Sequence, residues 1–133
     1  MHIKTWLSQL GIVALLLAGC AGQQPEISVG IDQSGQSVRM QVGQSLVVSL
    51  PSNPSTGFRW EVETIDAAVL TQVGEAEYQS LGSEIPPPEG QGGIETFHFE
   101  AVGTGESPLR LFYRRPFEDV EPAEIFFLLV VVE

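Results

Sequence analysis

Two histidines, one cysteine and one lysine, Lys4, are all that this chain of 133 residues offers for nucleophilic or metal chemistry outside its acids and hydroxyls. His2 stands at the extreme N-terminus. His98 sits between Phe97 and Phe99 in an alternating segment, which suits a strand residue better than a catalytic base. A Ser–His–Asp site would need a serine on a strained elbow beside it, and no such motif occurs. A single cysteine, Cys20, excludes an internal disulfide and a cysteine-cluster metal centre. Glu118, Asp119 and Glu121 could act as a carboxylate pair or hold Ca²⁺. A solvated loop face is the simpler reading, and the same charges could steer a cationic partner. Arg114-Arg115 is too small a patch for a phosphate backbone. An enzyme is therefore poorly supported, and neither cofactor nor metal is expected. What remains is binding chemistry, carried by loops rich in Pro, Gly and small polar residues.

Charge and composition narrow the partners. Six Lys+Arg stand against 17 Asp+Glu, a formal net charge of −11, which argues against nucleic acid. Fourteen glycines and nine prolines make the chain loop-rich without reaching low-complexity composition, and 43% apolar residues suffice for one packed core. Residues 1–19 read as a leader: Lys4 is a positive n-region, and Leu10 to Ala18 is an apolar stretch too short to span a bilayer. Leu17-Ala18-Gly19-Cys20 resembles the bacterial lipobox. That resemblance implies a diacylglyceryl group on Cys20, cleavage before it and acylation, with palmitate for example, of the new N-terminus. Ala21 in place of Asp implies sorting to the outer membrane of a Gram-negative bacterium. The alternative is an ordinary secretory signal with an incidental cysteine. Lipid chains would anchor the protein at a membrane, whereas its acidic surface repels anionic headgroups. Residues 20–26 then form the lipidated cysteine and a polar tether, and residues 27–133 form the domain.

The elements that must position any binding loops are strands. Val38, Met40 and Val42 alternate with polar neighbours, as do Leu46, Val48 and Leu50. Phe58, Trp60 and Val62 repeat the pattern, followed by Phe97, Phe99 and Ala101, and by Leu109, Leu111 and Tyr113. Period two predicts half-buried strands. Ser34-Gly35, Val42-Gly43, Pro51 to Gly57, Pro86 to Gly93 and Gly103 to Gly105 mark turns between them. Ile125 to Val132 is continuously apolar and predicts a fully buried central strand. Residues 64–72 could hold one helical turn. The expectation is all-β: an immunoglobulin-like antiparallel β-sandwich of seven to eight strands, held by packing without the disulfide of antibody domains.

Three loops stand out. In Asn53-Pro54-Ser55-Thr56-Gly57-Phe58, Pro54 fixes its own φ and pushes Asn53 towards an extended conformation, while Gly57 permits φ > 0. The result is a stiff loop whose tip shows Ser55 and Thr56, and a stiff loop loses little entropy on docking. A plain turn is the alternative. The second loop carries Gly90-Gln91-Gly92-Gly93, and the third carries Arg115-Pro116-Phe117. The first closely resembles the NPTTGF signature of the chagasin-like cysteine peptidase inhibitors. The second matches that family's GxGG, and the third its RPW/RPF. The three occur in order, at loop positions, and the likeness covers roughly residues 36–133.

The resemblance implies an immunoglobulin-like sandwich whose three loops form a wedge for the active-site cleft of a papain-like cysteine protease. Asn53 to Gly57, with Phe58 behind them, would sit over the catalytic Cys–His pair, where Thr56 can hydrogen-bond in place of substrate. Gly90, Gly92 and Gly93 would contact the cleft through backbone. Arg115, Pro116 and Phe117 would pack against its other side. Inhibition would be reversible, the protein monomeric and its own chemistry nil. Ser55 departs from the signature's first Thr, and Phe117 from the Trp of many members, which bears on affinity and target preference. Ile85-Pro86-Pro87-Pro88 is a stiff stretch that either spaces or contacts. The alternative function is a non-inhibitory immunoglobulin-like envelope lipoprotein that binds another protein or a glycan.

Overall fold

The computed structural model describes residues 24–82 and 91–133. The leader, Cys20, Gly90 and the Ile85 to Pro88 stretch lie outside them. Nine strands follow one another: β1 (Ile27–Gly30), β2 (Gln36–Met40), β3 (Ser45–Ser52), β4 (Arg59–Thr64), β5 (Leu70–Gln72), β6 (Glu77–Ser80), β7 (Gly93–Ala101), β8 (Gly105–Arg114) and β9 (Glu124–Val132). The alternation read from sequence becomes the core. Leu46, Val48 and Leu50 of β3 meet Phe97, Phe99 and Ala101 of β7, Leu109 and Leu111 of β8, and Phe126, Leu128, Val130 and Val132 of β9, all buried. Their outward neighbours stay at least partly exposed, as a two-layer structure requires.

One sheet runs β1-β3-β7-β5, with β6 also pairing β7; the other runs β2-β9-β8-β4. Two features differ from the expectation of seven to eight antiparallel strands. There are nine among the described residues, and β1 on β3 and β2 on β9 are parallel pairs. The chain leaves β1 through a 3₁₀ turn at Ile31–Gln33 and crosses to β2 in the opposite sheet before returning to β3. That excursion supplies the long connection a parallel pair needs.

The Ile125–Val132 stretch is central, between β2 and β8, but it is not fully buried. Phe127, Leu129 and Val131 face outward and are half-buried, and Ile125 is 52% exposed, because none of the described residues forms a third layer over that face. The Arg110 guanidinium shields part of it, 5.8 Å from the Phe127 ring centre. Residues 64–72 do hold one turn, with the amides of Val69 and Leu70 both donating to Asp66 O before β5 begins.

Strand register gathers the loops at one end. Ser52 of β3 pairs with Gly93 of β7, which pairs with Ser80 of β6. In the other sheet Arg59 of β4 pairs with Arg114 of β8, and Tyr113 with Glu124 of β9. The connection 53–58, the flanks 81–82 and 91–92, and the connection 115–123 therefore stand at the same pole. The N-terminal segment lies at the other pole: Gln24 Nε2 donates to Gln41 Oε1, and Gln44 Nε2 donates to Pro25 O, both at the turn that precedes β3. The eight residues of β3 separate the poles by about 25 Å, from the rise per residue of an extended strand.

Candidate functional site

The first loop is a single 3₁₀ turn, Pro54–Thr56. Asn53 enters it extended, at φ −137° and ψ 83°, as a residue before proline should. Pro54 occupies the first helical position, where no N–H is needed. Gly57 closes the turn at φ +85°, in the left-handed region that glycine tolerates. Thr56 N donates to Asn53 O at 3.2 Å and Gly57 N to Pro54 O at 2.9 Å. Side chains brace the same turn: Ser55 Oγ donates to Asn53 Oδ1 and Thr56 Oγ1 to Asn53 O, both at 2.6 Å. Pro54, Ser55 and Thr56 are exposed, so this stiff knuckle is the crest of the loop end. A hydroxyl has one hydrogen and two lone pairs. With its hydrogen directed inward, Thr56 Oγ1 offers the outside an acceptor.

The third loop clamps the first. Arg115 Nε donates to Thr56 O at 3.0 Å, and its guanidinium lies 4.6 Å from the centre of the Phe58 ring. Phe117, 75% exposed, lays its ring edge on Gly57, where an added Cβ would stand 3.2 Å from Cζ. Pro116 is exposed beside it. The Arg115–Glu118 ion pair, at 3.4 Å and with both partners more than a third exposed, adds little.

The stems stand on an aromatic stack. Tyr113 lies 5.3 Å from Phe58 and 5.0 Å from Trp60, ring centre to ring centre. Its hydroxyl accepts from Asn53 N at 3.0 Å, and Trp60 Nε1 donates to Pro51 O at 2.8 Å. Beneath them, Glu95 of β7 is buried. Tyr113 and Glu95 were not among the expected site residues. Their signal was parity: Tyr113 follows Leu109 and Leu111, and Glu95 precedes Phe97 and Phe99, each on an inward row.

In the second loop Gly93 is buried where Ser52 and Ser80 flank it, and a Cβ there would stand 2.3 Å from Gln79 O. Its lack of a side chain therefore serves strand packing. Gly92 is half-buried and its carbonyl accepts from Leu81 N at 3.2 Å. Leu81 is 73% exposed. Two shallow hollows flank the first loop. Asn53, Leu81, Gly92 and Tyr113 border one; Pro54, Phe58, Pro116 and Phe117 border the other. Of the expected site residues, Asn53 to Phe58, Gly92, Gly93 and Arg115 to Phe117 thus share one pole, and Gly90 lies outside the described residues. His98 is half-buried on the outer face of β7, paired with Val47, away from the loops. Among the described residues no group of three His, Cys, Asp or Glu is placed to hold a metal, and no helix is long and apolar enough to cross a membrane.

Residues 39–131 match the family described as Chagasin family peptidase inhibitor I42. Chagasin of Trypanosoma cruzi is 31% identical over 86 residues, which span 62% of this chain and 76% of that protein. Among solved structures, Amebosin aligns with a TM-score of 0.68 at 27% identity, covering 83% of this chain and 100% of its own. A cysteine protease inhibitor from Entamoeba histolytica, EhICP2, aligns with a TM-score of 0.69 over the same shares at 18% identity, a likeness of fold alone.

Proposed function

This chain belongs to the chagasin family of peptidase inhibitors, and from that footing we propose that it blocks papain-like cysteine proteases reversibly, with three loops set into the active-site cleft. The observation that carries this reading is the first loop, a knuckle already locked by its own hydrogen bonds and held by Arg115, Phe117 and Tyr113. EhICP2, of the same fold, is a cysteine protease inhibitor.

The knuckle, Asn53 to Gly57, covers the protease's thiolate–imidazolium pair. The imidazolium donates to Thr56 Oγ1, whose own hydrogen is engaged inside the loop. The carbonyl oxygens of Asn53 and Pro54 are folded into the turn, so no extended scissile bond faces the thiolate. Arg115 fixes the knuckle, and Phe117 and Pro116 cover one wall of the cleft with apolar surface. Gly92, with Gly90, offers backbone to the other. Phe58 and Gly93 support these contacts from behind. The first and third loops enter pre-formed, so little conformational entropy is lost when they dock.

The same proposal includes a lipid on Cys20 that holds the protein at the outer membrane. The N-terminal segment at the pole opposite the loops supports it, since a tether there leaves the wedge free.

Titrating papain with the soluble domain, residues 21–133, which lacks the leader and Cys20, tests the function. Stoichiometric inhibition is expected, and it is weakened at least tenfold by Thr56→Arg, a bulky charge on the crest, with circular dichroism unchanged. Failure of the wild type against papain and against a cathepsin-L-type enzyme transfers the weight to an envelope protein that binds another protein or a glycan.

A further inference from the structure

Glu95 is 5% exposed, on the inward row of β7 with Phe97, Phe99 and Ala101. A carboxyl group among apolar side chains is costly unless its oxygens are hydrogen-bonded. Here Oε1 accepts from Ser52 Oγ at 2.5 Å and from the backbone N–H of Trp60 at 3.4 Å. Ser52 is the last residue of β3 and Trp60 the second of β4. Residues 53–59, which include the whole first loop, lie between them. β3 and β7 belong to one sheet and β4 to the other, where it is an edge strand. An N–H on the open side of an edge strand needs a partner other than a strand. One oxygen, reached from a third strand, therefore ties the two stems of the loop across the gap between the sheets.

We infer that Glu95 is a positioning residue for inhibition: its carboxyl, buried beneath Ser52 and Trp60 and out of reach of any protease, sets the spacing of the stems and thereby presents Pro54 to Thr56. The inference rests on the inhibitor reading for its target, but the tie itself belongs to the free protein. Removing the carboxyl strands two buried donors, the Ser52 hydroxyl and the Trp60 amide. The stems then splay, and the loop must be re-ordered at each encounter. Glutamine keeps a carbonyl oxygen of the same reach.

Three variants of the purified protein test this: Glu95→Ala, Glu95→Gln and Val130→Ala, the last a core truncation in the other sheet. Two readouts are taken well below each melting temperature: the inhibition constant for papain, and amide exchange at Thr56 and Gly57. Glu95→Ala raises the inhibition constant about tenfold or more and speeds exchange at both amides. Glu95→Gln restores both, and Val130→Ala leaves both near wild type although it lowers the melting temperature. Unchanged exchange in Glu95→Ala, or an effect on inhibition no larger than that of Val130→Ala, overturns the positioning role. A wild type that inhibits neither papain nor a cathepsin-L-type enzyme overturns the proposed function instead, and the exchange data still decide whether Glu95 orders the loop.

Discussion

Arg115 donates through Nε to the main-chain oxygen of Thr56, 3.0 Å away, so the third loop grips the first by its backbone at the crest. The same guanidinium covers the face of Phe58. Lysine cannot make both contacts together, because its ammonium is a single point charge without the planar fork and stacks less well. Arg115→Lys and Arg115→Ala should therefore behave alike. Each is expected to weaken papain inhibition by about 1–2 kcal/mol, roughly five- to thirty-fold in the inhibition constant. Lysine restoring wild-type inhibition would show that charge alone matters.

Two glycines at the loop end should fail for different reasons. Gly57→Ala forces a side chain to φ +85° and presses on the tip of the Phe117 ring, which can swing away. The expected loss of stability is about 1–2 kcal/mol, the penalty of a left-handed L-residue. Inhibition falls as well, because the knuckle and Phe117 both shift. Gly93→Ala meets backbone, with its Cβ 2.3 Å from Gln79 O, and the sheet cannot yield so cheaply. It should detach β6 and cost more stability than Gly57→Ala. Denaturant melts of the two variants, compared with wild type, check the order.

Lipidation at Cys20 predicts a clean separation of location from activity. In a Gram-negative host the wild type should enter the detergent phase and the outer-membrane fraction, and Cys20→Ala should not. Both should inhibit papain equally, because the segment at Gln24 and Pro25 is bound at the pole away from the loops. A wild-type protein found wholly in the aqueous phase would remove the anchor from the reading.

Alternation placed most of the core correctly from sequence, because inward rows such as Leu46, Val48, Leu50 and Phe97, Phe99 obey only the pleat. The loop motifs were legible for a similar reason: Pro54 and Gly57 act locally on their own backbone. Pairings set at a distance were not. The parallel edges depend on which strands, distant in sequence, β1 and β2 come to lie beside. Period two could not announce that Phe127, Leu129 and Val131 face a side left uncovered, since an apolar row looks the same buried or half-buried. Glu95 stood on an inward row in plain view, yet its partners, Ser52 and Trp60, lie 43 and 35 residues away. The direction of the Thr56 hydroxyl, inward to Asn53, is likewise a product of the closed turn.

The parallel pairing of β1 with β3 has a mechanical consequence. Under the proposed anchoring at Cys20, a tether would pull on β1 from its N-terminal end, at one pole, while a docked protease would hold the C-terminal end of β3 at the other. The two strands are then drawn in opposite directions along their shared axis, over the register from Ile27 opposite Leu46 to Gly30 opposite Ser49. Their inter-strand bonds run across that axis and carry the load together, in shear, instead of opening one after another as in a peeled hairpin. If the proposed anchor holds, a protease tugged by flow would strain the domain in the direction in which β1 and β3 resist best.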